Sequence, residues 1–78
     1  MMLKVLSDLK PGERGIITRV KGGGLIHRRL LDMGIIPQTR IEVERVAPLG
    51  DPIGVKVKGY HLSLRKEEAD NVEVEVEE

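Results

Sequence analysis

The feature that most constrains this chain is strict two-residue alternation in short runs. Val72, Val74 and Val76 alternate with Glu73, Glu75 and Glu77. Ile53, Val55 and Val57 alternate with Gly54, Lys56 and Lys58. Successive side chains of a strand point to opposite faces, so each run predicts a strand with one buried and one wet face. Arg14–Val20 reads the same way, with Ile16, Thr18 and Val20 on one face. Thr39–Val46 is a further strand with Ile41 and Val43 inward. Val46 is out of phase with that pair, which places a bulge near Arg45. Gly59-Tyr60 turns into a strand carrying Leu62 and Leu64.

Leu25–Met33 is the one segment of helical period. Ile26, Leu30 and Met33 fall at i, i+4 and i+7 and form a buried stripe. Gly34 supplies a left-handed cap, Ile35 its hydrophobic contact, and Pro37 blocks continuation. Lys66–Ala69 reads as one helical turn. Seventy-eight residues make one domain, residues 1–78, with room for one core. Five short strands make too small a sheet to leave its edges open, so the expected fold is mainly β, a small five-stranded SH3-like barrel with one short helix. Its expected core is Ile16, Ile26, Leu30, Ile41, Val43, Val55, Val57, Leu62, Leu64 and Val74.

Composition removes whole classes of chemistry. There is no cysteine, hence no disulfide, thiolate metal site or cysteine nucleophile. Ser7 and Ser63 lack a His-Asp context, and no catalytic site is legible. Gly22-Gly23-Gly24 precedes the helix but matches neither a Walker motif nor a dinucleotide fingerprint, so it reads as a flexible turn. His27 and His61 lack zinc-motif spacing and read as exposed non-ligands; a metal site is left unassigned, with weak divalent binding open. No apolar run approaches the ~20 residues of a membrane helix, and Met1–Lys10 has no signal-peptide pattern, so the expected compartment is the cytoplasm. Tyr60 is the sole aromatic, which argues against base-stacking recognition of nucleic acid.

Net charge is zero but unevenly distributed. Residues 1–66 carry 13 Lys/Arg against six acids, while residues 67–78 carry seven acids and no base. The plain reading is an acidic final strand lying beside basic strands, its glutamates opposite Lys56, Lys58 or Arg65. The sharper reading is a basic face for an anionic partner.

Two pieces, Arg29-Leu30-Leu31-Asp32-Met33-Gly34-Ile35-Ile36-Pro37 and Ala47-Pro48-Leu49-Gly50-Asp51-Pro52-Ile53, about ten residues apart, resemble the FeoA family. Leu6, Leu9, Gly12 and Gly15 extend the likeness toward the N-terminus, and Leu62, Leu64, Arg65 and Ala69 toward the other end, so that it spans about residues 3–76. Gln38 departs from it, for the family usually has glycine after the proline. The resemblance implies an SH3-like barrel that serves as a cytoplasmic accessory of a ferrous-iron permease bearing a GTPase domain. It implies likeness to the C-terminal domain of iron-dependent repressors, and no enzyme activity. The partner expected is the permease's GTPase domain; a weak homo-oligomer is left open. A metal-responsive or nucleic-acid-associated regulatory domain is the second reading. The expected contact residues are Arg28 and Arg29, which splay to the outer side of the helix, and Leu49 and Asp51 of the two-proline loop. Charge reversal of both arginines is expected to spare the fold.

Overall fold

The computed structural model describes residues 2–77. Six strands form one antiparallel sheet: β1 Met2–Val5, β2 Arg14–Val20, β3 Arg40–Val46, β4 Ile53–Val57, β5 Tyr60–Leu64 and β6 Val72–Val76. Their spatial order is β1-β6-β2-β3-β4-β5. Helix α1, Gly24–Asp32, bridges β2 to β3; the one-turn α2, Lys66–Ala69, bridges β5 to β6.

Two expectations are corrected. The strands number six, and the ladder is open, with β1 and β5 at its edges. Met2–Val5 gives no alternation to read; it becomes a strand by pairing along β6, from Met2 opposite Val76 to Val5 opposite Glu73. It thereby covers the edge that closure was expected to remove. The turn Leu6–Asp8 continues from β1 and fastens to α2 through the Ser7 hydroxyl, which donates to Asp70.

The phase of β2 is also corrected. Ile17 is buried and Ile16 only half-buried, while Thr18 is exposed. Gly15 decides this. A Cβ on it would lie 2.1 Å from the Glu75 carbonyl oxygen, so only glycine lets β2 and β6 approach there. With Gly15 inward, Ile17 follows inward, and a register shift between Ile17 and Arg19 returns Val20 to the core. The expected bulge in β3 is present, as a register shift between Val43 and Arg45 against β4.

Of the expected core, Leu30, Ile41, Val43, Val55, Val57, Leu64 and Val74 are buried; Ile26 and Leu62 pack on its margin. Leu6, Leu9, Ile35, Ile53, Val72 and Val76 complete it. Gly34 has φ +87°, as expected. The Gly34 N–H donates to the Leu31 carbonyl and the Ile35 N–H to the Leu30 carbonyl, both at 3.0 Å. That double bond pattern ends α1 and carries Ile35 into the core.

β6 lies between β1 and β2, so its glutamates meet cations other than those expected. Glu73 pairs with Lys21 at 3.7 Å, and Glu77 with Arg14 at 3.4 Å and Arg40 at 2.8 Å. Lys56, Lys58 and Arg65 are not among the partners found for the β6 glutamates.

Candidate functional site: helix α1 and the Leu49 loop

Leu30 anchors α1 in the core, and this fixes which residues face out. Leu25, Arg28, Arg29 and Asp32, spaced i, i+3, i+4 and i+7, share one face and with Met33 line a shallow depression. Leu25 is 86% exposed. The two arginines, equivalent in sequence, differ in structure. Arg29 Nε lies 2.8 Å from Glu68 Oε2, and the Glu68 side chain is only 4% exposed. The other Glu68 oxygen accepts the Arg65 N–H at 2.9 Å, which caps α2. Arg29 therefore neutralises a buried carboxylate and ties α1 to α2. Arg28 is exposed and has no ion-pair partner among the described residues. Of the two, only Arg28 keeps its charge for a partner.

The loop between β3 and β4 is closed by its own backbone. The Ala47 N–H donates to the Pro52 carbonyl at 3.0 Å and the Gly50 N–H to the Ala47 carbonyl at 2.7 Å. Leu49 is 95% exposed. Asp51 accepts the Lys66 N–H at 3.1 Å, so it fastens the loop to the start of α2. Of the loop pair, Leu49 is presented outward and Asp51 is partly engaged inside the molecule.

Beside this loop a groove of about 560 Å³ runs over the outer face of β3, β4 and β5. Val46, Pro48, Pro52 and Leu62 line it together with Glu44, Arg45 and His61. His61 Nδ1 lies 2.7 Å from Glu44 Oε1. The β3 bulge aims Glu44 toward β5 and lays Arg45 across Gly54, whose missing side chain makes the space; a Cβ there would be 3.1 Å from Arg45 Cγ. This groove was not read from the sequence; its one signal was the broken phase at Val46. Among the described residues no three His, Asp or Glu side chains converge as a metal site.

Asp70, exposed beside α2, has a lowered carboxyl pKa. The Ser7 hydroxyl holds its carboxyl below the usual 3.8; partial burial opposes this, and Lys66 adds a smaller lowering effect.

The described residues thus form a small domain of one open antiparallel sheet, helix α1, the one-turn α2 and a stiff loop that presents Leu49. Residues 4–76 match the model of the FeoA domain, and the chain belongs to the FeoA family. It is 41% identical over 71 residues to the Fe(2+) transport protein A/Fe(2+) transporter FeoB fusion protein of Porphyromonas gingivalis (strain ATCC BAA-308 / W83). That match takes in 91% of this chain but only 8% of the fusion protein's length. The fold superposes on the crystal structure of an iron uptake regulatory protein, FeoA, with TM-score 0.88 at 30% identity, covering 99% of this chain and 100% of the other. It also superposes on Stenotrophomonas maltophilia FeoA in complex with zinc, described as an SH3 domain protein, with TM-score 0.78 at 26% identity, covering 96% and 91%. The architecture is thus SH3-like in kind, as expected, with an open ladder of six strands. No helix among the described residues is long and apolar enough to cross a membrane.

Proposed function

We propose that this chain is a small cytoplasmic accessory and regulatory protein of ferrous-iron uptake that acts by contact with the GTPase domain of an iron permease and catalyses nothing itself. The observation that carries this reading is the fusion relative. In it, a domain 41% identical to this chain shares one polypeptide with a ferrous-iron transporter. Fusion places two domains at high effective concentration. Without fusion, the same encounter runs through the domain's own surface.

The surface we assign is the outer face of α1 with the Leu49 loop. Arg28 supplies an uncommitted charge, Leu25 and Leu49 supply apolar area, and the hydrogen-bonded loop loses little entropy on binding. Arg29 and Asp51 position these elements from behind.

The test is calorimetric titration of the permease's cytoplasmic domain with this chain and with Arg28→Glu and Leu49→Ala variants. Saturable binding, weakened by each substitution while the melting temperature holds, is the expected result. Binding that neither substitution changes would remove this surface, and no binding by the parent chain would remove the reading.

A further inference from the structure

The acids of the C-terminal segment are largely consumed inside the molecule. Glu67 pairs with Arg65, Glu68 with Arg29, Asp70 with Lys66, Glu73 with Lys21, and Glu77 with Arg14 and Arg40. What this leaves over is informative. Lys56 on the outer face of β4 and Lys58 in the turn that follows it have no ion-pair partner among the described residues, and both are exposed. With Arg40 and Glu42 they line one depression of about 230 Å³ near the β4–β5 turn. Ile41 pairs with Val57, so Arg40 and Lys58 flank the same end of the β3–β4 ladder.

A second observation concerns Lys58 itself. It has φ +51° and is followed by Gly59 at φ +81°. A two-residue hairpin turn with both φ positive favours Asn, Asp or Gly at its first position. Lysine there is conformationally costly, and its ammonium makes no internal ion pair among the described residues. Strain held at a residue that returns no internal contact points to an external use.

We infer that the surface shared by Lys56 of β4 and Lys58 of the turn after it binds an extended acidic protein segment. Lys56 on the strand and Lys58 two residues on in the turn border the same depression, so an approaching extended chain, whose alternate residues stand roughly 7 Å apart, meets two cations in succession. A partner in extended conformation with carboxylates at every second position presents the same repeat. Within this molecule Glu73 of β6 and Glu77 just beyond it meet Lys21, Arg14 and Arg40 in the same manner, extended-chain carboxylates against cations of neighbouring strands. Glu42 beside Lys56 disfavours the continuous negative charge of a nucleic-acid backbone, and the chain's single aromatic, Tyr60, offers no stacking platform. This inference is independent of the permease reading, because it concerns a different face and a ligand defined by its charge pattern alone.

The experiment is a two-dimensional amide NMR titration of the 78-residue chain with a synthetic peptide alternating glutamate and serine, at low salt. Shifts concentrated on residues 56–60 and on Arg40 are expected, with affinity falling as salt screens the contact. Lys56→Glu, Lys58→Glu should weaken binding at least tenfold. Lys58→Asn should weaken it while raising the melting temperature, since asparagine accepts the left-handed conformation; that variant also serves if the double reversal fails to fold. Shifts centred on Arg28 or Arg19, affinity indifferent to both variants, or equal shifts with a DNA duplex of matched charge would each overturn the inference. Binding of the permease domain at α1 with no response at β4 leaves the proposed function standing. The acidic peptide then decides the β4 face alone.

Discussion

Arg29→Ala is the substitution through which the structure departs furthest from the pattern of surface charges. Arg29 is an exposed arginine by its own area, with a side chain 56% accessible, and exposed substitutions ordinarily change stability by within ~0.5 kcal/mol. Its partner is not exposed. Removing the guanidinium leaves Glu68 Oε2 charged and without its donor in a place that is 4% accessible. Losing one partner of a fully buried pair costs about 3–5 kcal/mol. Two facts lower that here. Water can occupy the space the guanidinium leaves, and Glu68 Oε1 keeps the Arg65 N–H. A charged group losing a single hydrogen bond, at about 1.5–3 kcal/mol, is the nearer analogue, so about 2 kcal/mol is expected. A chain of this size has roughly 4–12 kcal/mol in total. The melting temperature should fall by roughly 8–16 °C. Urea unfolding of Arg29→Ala beside Arg28→Ala measures this, with Arg28→Ala within ~0.5 kcal/mol of the parent. In the Glu68→Ala background the Arg29 substitution should become nearly neutral. Equal stability of the two arginine variants, or an Arg29 effect unchanged by Glu68→Ala, would refute the reasoning. The expectation that both arginines can be reversed without harm to the fold is thereby replaced: Arg29→Glu sets two carboxylates together, and only Arg28→Glu reports on binding.

Other consequences follow from single contacts. Gly15→Ala should cost about 3 kcal/mol or more, seen in urea unfolding, because its Cβ would meet the Glu75 carbonyl at 2.1 Å and β6 backbone has to move. Gln38→Gly should stabilise by about 0.5–1 kcal/mol, because Gln38 has φ +71° and the relief exceeds the entropy glycine adds to the unfolded chain. A lower melting temperature for that variant would count against it. Ser7→Ala removes the main cause of the lowered Asp70 pKa. A carboxyl lowered in the folded state contributes stability above its unfolded value, lost as pH falls through the folded value. The gap between parent and Ser7→Ala should therefore be full at pH 6 and shrink as pH falls below ~3.8; a gap independent of pH would contradict the assignment.

Much of this was legible from local pattern. β4 and β6 alternate without interruption, so their buried valines and isoleucine follow from period alone. The end of α1 was legible because Gly34, Ile35 and Pro37 each act on the backbone locally. β1 was not, since its four residues become a strand only through β6. The phase of β2 was misread because Ile16 and Ile17 are chemically interchangeable, and what selects Ile17 is the approach of the Glu75 backbone to Gly15, a contact across 60 residues. At the candidate site, the helix face and the loop were legible as places. The distinction between Arg28 and Arg29 was not, because Glu68 is brought to Arg29 by the packing of α2.

The packing of α2 and β6 also reshapes the charge asymmetry of the chain. In sequence it is a basic body with an acidic end, which invites a picture of two opposite poles. Folding interleaves the two. β6 is placed beside β2 and within reach of Lys21, Arg14 and Arg40, and α2 within reach of Arg29. Apart from the Arg29–Glu68 pair, such pairing between solvent-accessible groups contributes little to stability, about 0–1 kcal/mol each. Its larger effect is subtraction: among the described residues it engages Arg14, Lys21, Arg29, Arg40, Arg65 and Lys66 and leaves other cations without an acidic partner. Arg28 on α1, Lys56 on β4 and Lys58 in the turn after it are of that kind. A partner's electrostatic choice is made among residual charges, since steering depends on the summed field and not on the count of basic residues. On α1 and beside the β4–β5 turn, removing one such cation changes the local field with no acid released to offset it.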